Sequence, residues 1–459
     1  MVIPLPPPRE RSSVPSVRSH AKLFALGLLV VIAVGTVLLA TPWTTENGSG
    51  TPAVDALFTA VSAAAVTGLI TVETQDHWNF WGELVILILI QVGGLGFMVG
   101  ASLVLQTLRR GQTRLSDAVL IQNGAPTLSL REAGHLARRV VRFTFVTEAI
   151  GAILLTVRFA RDMPVLEALW YGTFHSVSAF CNAGFDLQGG YRSFLPFQTD
   201  AWVNVVIMLL IQAGALSYVA LADVAGTRRW SRLALDTKLV LVANAALLVL
   251  GTVTVLAAEW NHALADTPAS SRPMAALFQS VAARTAGFAT MNFSEVHTVT
   301  LFIWIGIMLI GGASGSTAGG VKLTTAGVVA AAVISTLRGG EEPTAFGRRL
   351  ATPLVLRAMA VIALMFLAHF TATALLAITE HLAGGADASF IALMFEAMSA
   401  LATVGLSTGI TPALSTAGKL VLCGAMFFGR LGPLTAAYAL QRRQRPVRYR
   451  LPVAPVRIG

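Results

Sequence analysis

Four short apolar segments hold the residues of this chain whose types and spacing could do chemistry. Each begins at a phenylalanine and runs through small residues to a glycine. Glycine adopts backbone conformations that other residues avoid, so carbonyl oxygens beside it can turn to one side. Rings of such carbonyls can replace the hydration shell of a cation. The segments read "FTAVSAAAVTGLIT" (58–71), "FHSVSAFCNAGFDL" (174–187), "FQSVAARTAGFAT" (278–290) and "FEAMSALATVGLST" (395–408).

The four segments form a repeat with a period of roughly 100 to 120 residues. An apolar helix of about 10 to 14 residues cannot cross a bilayer and must turn back. Irregular backbone at membrane depth survives only where protein buries it or water lines it. We therefore expect four re-entrant loops around one axis, with Phe58 and its three counterparts as packing residues. The last repeat contains Thr403, Val404 and Gly405, which open the potassium-channel filter signature.

The elements that must position these loops are membrane helices. Hydrophobic residues make up 55% of the 459 and charged residues only 12%, against about 25% charge in soluble domains. Two cysteines are too few for a thiolate site, and the eight histidines show no ligand spacing, so resident-metal chemistry is not expected. We predict eight crossings, at 22–41, 81–107, 138–157, 200–224, 236–258, 298–337 (interrupted), 351–378 and 415–440.

The charge distribution predicts the orientation. Lysine and arginine number 33 against 23 acidic residues. They concentrate in the tail and in the connections that follow the second, fourth and sixth predicted crossings. The positive-inside rule then places both termini in the cytoplasm. The basic balance thus reflects topology in the lipid bilayer, and a nucleic-acid partner is not expected.

A glycine-rich stretch, "LIGGASGSTAGGVKL" (309–323), interrupts the sixth crossing. Small-residue patches stand at the same place in the second crossing of every repeat: "IQVGGLGF" (90–97), "IQAGALSY" (211–218), "MLIGGASG" (308–315) and "MFFGRLGP" (426–433). In the fourth repeat Arg430 takes the position of Gly312. A basic residue in mid-membrane is by default functional. We expect Arg430 to be an electrostatic barrier below the glycines and the loop to be a movable plug.

These motifs together resemble the Trk/Ktr/HKT superfamily of potassium transporters, and the bare eight-helix length resembles its Ktr-type (KtrB-like) membrane subunit. The resemblance covers residue 22 to the end. It implies an all-α polytopic membrane protein with four tandem helix–pore helix–helix repeats, comprising eight transmembrane helices and four re-entrant pore loops around one central pore. The expected regions are 1–21 (N-terminal segment), 22–108, 109–225, 226–340 and 341–441 (repeats 1 to 4), and 442–459 (C-terminal tail).

The resemblance also implies the site. K⁺ would bind a selectivity filter formed by Val66, Thr67, Gly68, Asn182, Ala183, Gly184, Thr285, Ala286, Gly287, Thr403, Val404 and Gly405. The gate would comprise Gly311, Gly312, Ala313, Ser314, Gly315, Ser316, Thr317, Ala318, Gly319, Gly320, Lys322 and Arg430. No catalytic residue is expected. Some plant relatives with serine at the first filter position admit sodium, and this chain has Gly68 there, which favours potassium.

Partners follow from the same resemblance. A homodimer is expected, each protomer with its own pore, on a cytosolic ring of nucleotide-binding RCK/KTN-type regulatory subunits that would carry ATP or ADP. The last part of the tail, "YRLPVAPVRIG" (449–459), would pack at the dimer interface. This chain has no phosphate-binding loop of its own. Sodium activation and an inner (plasma) membrane location are further expectations.

Alternatives remain at the level of sequence. Gly312 to Gly315 also match the Gly-x-Ser-Gly motif of rhomboid-type proteases, with Ser314 as nucleophile and His175 or His369 as base. A sodium-permeable transporter is another alternative. Single residues stay open too: Arg284 could brace the filter through Glu396, Glu148 could hold Arg430 or a neighbouring backbone, and Asp186 could concentrate cations at an outer mouth or be solvated.

Overall fold

The computed structural model describes residues 17–112, 130–340, 342–384 and 388–432. Most of the predicted N-terminal segment and the whole predicted tail, 442–459, lie outside the described residues. A small hairpin, β1 (Thr344–Ala345) and β2 (Arg348–Arg349), stands in an otherwise helical chain. The helices are α1 (Val17–Leu39), α2 (Ala53–Ala64), α3 (Thr74–His77), α4 (Phe80–Gln112), α5 (Leu130–Phe159), α6 (Val165–Cys181), α7 (Ala201–Ala215), α8 (Tyr218–Thr227), α9 (Leu235–Glu259), α10 (Arg272–Ala282), α11 (Thr298–Met308), α12 (Leu323–Leu337), α13 (Thr352–Ala383), α14 (Phe390–Leu401) and α15 (Thr416–Leu431).

Long apolar helices dominate the described chain. Four of them, within α4, α5, α9 and α13, are long and apolar enough to cross a membrane unbroken. Their outward faces expose large side chains such as Ile153, Leu250 and Phe370. An apolar surface of this extent suits lipid rather than water.

Two of the eight predicted spans are broken. The span predicted at 200–224 divides into α7 and α8, which meet at 98°. Ser217 lies at the bend with φ of 66°, and its hydroxyl accepts a hydrogen bond from the backbone of Ala220. The predicted interruption of 298–337 lies between the end of α11 at Met308 and the start of α12 at Leu323.

Four short helices, α2, α6, α10 and α14, lie inside the bundle, and we call them the half-helices. Each contains one of the four repeated phenylalanines, and Phe58, Phe174, Phe278 and Phe395 are all 0% exposed. Burying such a side chain stabilises the fold by about 1.5 to 3 kcal/mol. Their expected packing role is confirmed.

The half-helices and the helices that follow their glycine turns pack on one another in a closed cycle. The helix that follows each glycine turn packs on the half-helix of the next repeat: α4 on α6, α7 on α10, and α11 on α14. Finally α15 packs on α2. This cyclic arrangement brings the four glycine turns together around a common centre.

Candidate cation pathway

Each half-helix ends in a turn with the same alternating backbone. The first residue of every predicted filter triplet is left-handed, with φ of 57° at Val66, 60° at Asn182, 62° at Thr285 and 51° at Thr403. The third residue is again left-handed, with φ of 93° at Gly68, 73° at Gly184, 75° at Gly287 and 93° at Gly405. The middle residue has negative φ. The sign of φ therefore alternates along each turn, and such alternation can turn consecutive carbonyls to the same side instead of opposite sides.

The left-handed non-glycine residues are strained. For β-branched Val66 and the two threonines, positive φ is a true outlier. Such strain persists only where the surroundings impose it, and it clusters at functional sites. The backbone at these turns is therefore held against its own preference, which points to these carbonyls as functional groups.

The four glycines form a closed ring. A β-carbon built on any one of them would collide with the middle carbonyl oxygen of the next repeat, which leaves no room for a side chain. The distances from the built β-carbon to the carbonyl oxygen are 2.3 Å from Gly68 to Ala183, 2.8 Å from Gly184 to Ala286, 2.9 Å from Gly287 to Val404 and 2.0 Å from Gly405 to Thr67. The fourth contact returns to the first repeat, so the four turns, which together contain the twelve predicted filter residues, close into one ring.

Polar residues at one fixed position of the four segments brace this ring, two of which, His175 and Glu396, the sequence had suggested for other roles. The residue after each repeated phenylalanine is Thr59, His175, Gln279 or Glu396. Three of these bond to backbone beyond the glycine: His175 Nε2 accepts from the amide of Leu187 (3.1 Å), Gln279 Oε1 from that of Thr290 (3.2 Å) and Glu396 Oε1 from that of Thr408 (2.8 Å). A polar residue at one fixed position of four apolar segments was the signal that could have found them.

Serines inside the half-helices hold the glycines. The hydroxyl of Ser62 accepts from the amide of Gly68 (3.1 Å), and that of Ser399 accepts from the amide of Gly405 (3.0 Å). Ser178 instead donates to the carbonyl of Phe185 (2.7 Å). Buried hydroxyls need partners, and here those partners are the turn backbone.

The small-residue patches allow close approach to the ends of the half-helices. A β-carbon on Gly93 would lie 2.1 Å from the carbonyl oxygen of Ala64, one on Gly214 would lie 1.9 Å from that of Phe180, and one on Gly429 would lie 1.8 Å from that of Leu401. Only glycine fits there. Gly96, by contrast, has open space around its Cα.

The glycine-rich loop from 309 to 322 lies directly under the ring and touches it in three repeats. The hydroxyl of Thr317 donates to the side-chain oxygen of Asn182 (3.0 Å). The amide of Gly319 donates to the hydroxyl of Thr285 (3.2 Å), and a β-carbon on Gly319 would lie 2.0 Å from the hydroxyl of Thr403. In this conformation the loop fills the space below the three turns.

The bend between α7 and α8 serves the same loop. Where α7 ends, the carbonyl of Ala215 accepts from the amide of Ala313 (2.8 Å), and the carbonyl of Gly214 accepts from that of Thr317 (3.3 Å). A helix continued straight through this point would use those carbonyls itself. The loop and the broken helix therefore satisfy each other.

Arg430 joins the loop to the first repeat. Its guanidinium is 1% exposed and donates from Nη1 to the carbonyl of Thr317 (2.6 Å) and from Nη2 to that of Gly93 (2.7 Å). It also lies over the ring of Phe97, 4.6 Å from the centroid. Lys322 lies over the same ring at 4.9 Å and donates to the carbonyls of Ala318 (2.6 Å) and Gly319 (3.3 Å). Within the described residues neither side chain forms an ion pair, so two basic groups without a carboxylate partner lie beneath the ring.

Two open assignments are decided by the contacts. Arg284 does not pair with Glu396, because its Nη1 donates to the carbonyl of Ile310 (3.3 Å), at the start of the glycine-rich loop. Glu148 binds neither Arg430 nor backbone through its carboxylate. It accepts from Gln91 Nε2 (3.2 Å) and from the thiol of Cys181 (3.7 Å).

Acidic residues lie beyond the ring on its other side. Asp186 follows Gly184 by two residues, and its carboxylate accepts from the amide of Gln188 (3.1 Å). Burial raises the pKa of Asp186 to about 6. Burial, together with the negative charge of Asp186, raises the pKa of Glu73 to about 8. The two carboxylates together become more negative as the pH rises.

Ser314 has none of the surroundings of a nucleophile. Its hydroxyl shares a hydrogen bond with the hydroxyl of Thr324 (2.9 Å). His175 is committed to the backbone of Tyr171 and Leu187, and neither ring nitrogen of His369 has a hydrogen-bond partner among the described residues. A nucleophilic serine needs a base within hydrogen-bond reach.

Comparison with known proteins adds a family to this geometry. Residues 26–444 match the sequence model of the TrkH family, described as cation transport protein. The chain belongs to the TrkH family. A TrkH-family member is a membrane transporter, so the protease alternative is wrong and the chain is not an enzyme.

Relatives that match this chain over nearly their full length include proteins of the Ktr system. The chain is 35% identical over 431 residues to Ktr system potassium uptake protein B of Bacillus subtilis, covering 93% of this chain and 94% of that protein. It is 34% identical over 444 residues to the potassium/sodium uptake protein NtpJ of Enterococcus hirae, covering 96% and 97%. The predicted resemblance to a KtrB-like membrane subunit is confirmed.

A solved structure shares the fold. The crystal structure of the potassium transporter TrkH from Vibrio parahaemolyticus aligns with a TM-score of 0.73 at 18% identity, over 95% of this chain and 87% of that one. The expected class, a helical polytopic membrane protein, is confirmed. The eight-crossing count and the individual repeats stay predictions.

Proposed function

We propose that this TrkH-family protein takes up potassium through one pore, with the twelve ring residues as its selectivity filter and the glycine-rich loop as its gate. The observation that carries the proposal is the closed ring of Gly68, Gly184, Gly287 and Gly405, with alternating backbone conformations on every turn. Carbonyls turned to one side in four turns are suited to replacing the hydration shell of K⁺. The names of the Ktr relatives point to the same ion.

The gate proposal rests on contacts rather than on flexibility. The loop, including Ser314 and Gly315 at its tip, closes on three filter turns, and Arg430 ties it to α4 through Gly93. Lys322 and Arg430 add positive charge where a cation would leave the filter. Opening then requires the loop to release Thr317 and to move this charge away from the axis.

The wider assembly is part of the proposal. The protein would be a homodimer in the plasma membrane with both termini in the cytoplasm, as the positive-inside distribution supports. Control by ATP or ADP would come from a separate cytosolic nucleotide-binding ring of RCK/KTN type, and sodium would activate uptake.

Sodium permeation is the second candidate function. The printed name of the Enterococcus hirae relative includes sodium as well as potassium. Gly68 at the first filter position favours potassium, because all four repeats then have the same glycine turn.

Flux measurement in proteoliposomes tests the proposal. Purified protein should pass K⁺ and Rb⁺ faster than Na⁺ and Li⁺, and deletion of residues 312–318 should raise the flux. Because the loop contacts several repeats, each deletion sample also needs a monodisperse gel-filtration profile. Equal passage of all four cations would support the sodium-permeable alternative, and no passage by a folded protein in either form would refute the pore.

A further inference from the structure

A carboxylate and two imidazoles meet at the C-terminal end of α9, and their positions in the sequence flank the third half-helix and its glycine turn. Glu259, the last residue of α9, His262 just beyond it and His297, which caps α11, have ligand atoms within 4.8 Å of one another. The two imidazole rings are stacked, with centroids 3.8 Å apart. His262 Nδ1 lies 3.3 Å from Glu259 Oε2.

The carboxylate is buried and only half satisfied. Glu259 is 0% exposed, and its Oε1 accepts from the hydroxyl of Thr300 (2.5 Å) and from the amide of His297 (3.2 Å). Its Oε2 accepts no hydrogen bond from any described residue. A buried carboxylate oxygen without a donor is costly, and this one faces the histidines. Both histidines are exposed on their other side, so the cluster is open to solution.

Two imidazoles and one carboxylate are a donor set for a borderline transition metal. Zinc takes histidine nitrogen at about 2.0 to 2.1 Å and carboxylate oxygen at about 2.0 to 2.2 Å. Ligand atoms of a tetrahedral zinc site lie about 3.4 Å apart, so these groups, which lie within 4.8 Å of one another, need to close by up to about 1.4 Å. The exposed imidazoles can turn to do this, whereas Glu259 is already fixed by its two donors to Oε1.

We propose that Glu259, His262 and His297 form an outer-face site for a divalent transition metal of the zinc class, with water completing the coordination. The metal would link the end of α9 to the start of α11, the helix that leads into the glycine-rich loop. The site does not depend on the transport proposal, since binding needs only the three side chains.

The test is zinc binding by the full-length protein. The chain is purified with a tag that contains no histidines, stripped with chelator, and titrated with Zn²⁺ by calorimetry. We expect one Zn²⁺ per chain in the wild type. His262→Ala and His297→Ala should each weaken the affinity for Zn²⁺ at least about tenfold. Loss of a residue that only supports a metal ligand already costs about 10- to 100-fold in affinity, and loss of a ligand should cost no less. His381→Ala, an exposed histidine at the end of α13, is the matched control and should bind as the wild type does.

Thermal unfolding gives an independent readout. Zn²⁺ should raise the melting temperature of the wild type and of His381→Ala but not of the other two variants, because a ligand bound only to the folded state stabilises it. Mg²⁺, which prefers oxygen ligands, should not compete. The proposal is overturned if the wild type binds no stoichiometric Zn²⁺, or if both cluster variants bind it with wild-type affinity.

Discussion

Replacing Arg430 with methionine should release the glycine-rich loop and raise potassium flux. The side chain contributes two charge-assisted hydrogen bonds, to Thr317 and Gly93, at 2.6 and 2.7 Å. Only the bond to Thr317 reaches the loop, and a hydrogen bond from a charged donor contributes about 1.5 to 3 kcal/mol, so Arg430 holds the closed loop by about that amount. Methionine keeps much of the volume but donates nothing. At 1.4 kcal/mol per factor of ten, this loss shifts the closed-to-open ratio by about 10- to 100-fold.

The assay is the initial rate of K⁺ uptake into proteoliposomes at matched protein content. We expect Arg430→Met to exceed the wild type by about tenfold, since part of the shift is absorbed once the open state dominates. Arg430→Lys separates charge from tether: it keeps the positive charge but loses the planar fork that binds two carbonyls, so it should be intermediate. Arg357→Met, at an exposed arginine of α13, is the control for lost charge. Wild-type flux from a folded Arg430→Met protein would refute the tether.

Three further predictions use matched positions in this chain. Gly429→Ala should lower the melting temperature, since its β-carbon would lie 1.8 Å from a half-helix carbonyl oxygen and overpacking costs about 1 to 3 kcal/mol. Gly424→Ala, in the same helix, meets nothing within 4 Å and should be neutral or stabilising. Equal melting temperatures for the two variants would count against the contact. Gly405→Ala should abolish selective K⁺ flux, whereas Gly409→Ala should retain it. Their φ values, 93° and 91°, impose the same backbone strain, but only a β-carbon on Gly405 would collide with the ring. Equal loss of flux in both variants would leave strain alone as the cause. At low external K⁺, uptake should fall as external pH drops from 7 to 5, because protonation of Asp186, whose pKa is raised to about 6, removes negative charge beside the filter. Asp186→Asn should be slow and should depend less on pH over this range, with the remainder due to Glu73. A wild-type pH profile in that variant would assign the dependence elsewhere.

The glycine turns were predictable because their signal is local and repeated. A glycine at one place in four similar segments indicates a positive φ, and Gly68, Gly184, Gly287 and Gly405 all have it. The break after α11 was predictable for the same reason, since five glycines in "GGASGSTAGG" (311–320) cannot sustain a helix at ordinary cost.

Contacts between distant parts of the chain were not predictable. The break between α7 and α8 depends on the glycine-rich loop, which lies about 100 residues later in the sequence. Amides of this loop donate hydrogen bonds to the carbonyls of Gly214 and Ala215. Arg284 likewise donates to the carbonyl of Ile310 rather than to the carboxylate of Glu396, because the fold brings the start of the glycine-rich loop within its reach. Sequence shows which groups need partners, but the packing of helices decides which partners are within reach.

The histidine cluster shows the same limit from the other side. His262 and His297 stand 35 residues apart, which is no metal-ligand spacing, so the sequence analysis dismissed them. They meet because α9 ends and α11 begins at the same level of the fold, with Glu259 between them. Only the tertiary structure makes the donor set visible.

Selectivity of the filter ring is the central claim, and competition for ⁸⁶Rb⁺ uptake tests it most directly. Proteoliposomes containing the wild-type protein take up tracer ⁸⁶Rb⁺ in the presence of excess unlabelled K⁺, Rb⁺, Na⁺ or Li⁺. A ring of carbonyls from four glycine turns predicts strong competition by K⁺ and Rb⁺ and little by Na⁺ and Li⁺. Equal competition by all four cations, or none by K⁺, would contradict it.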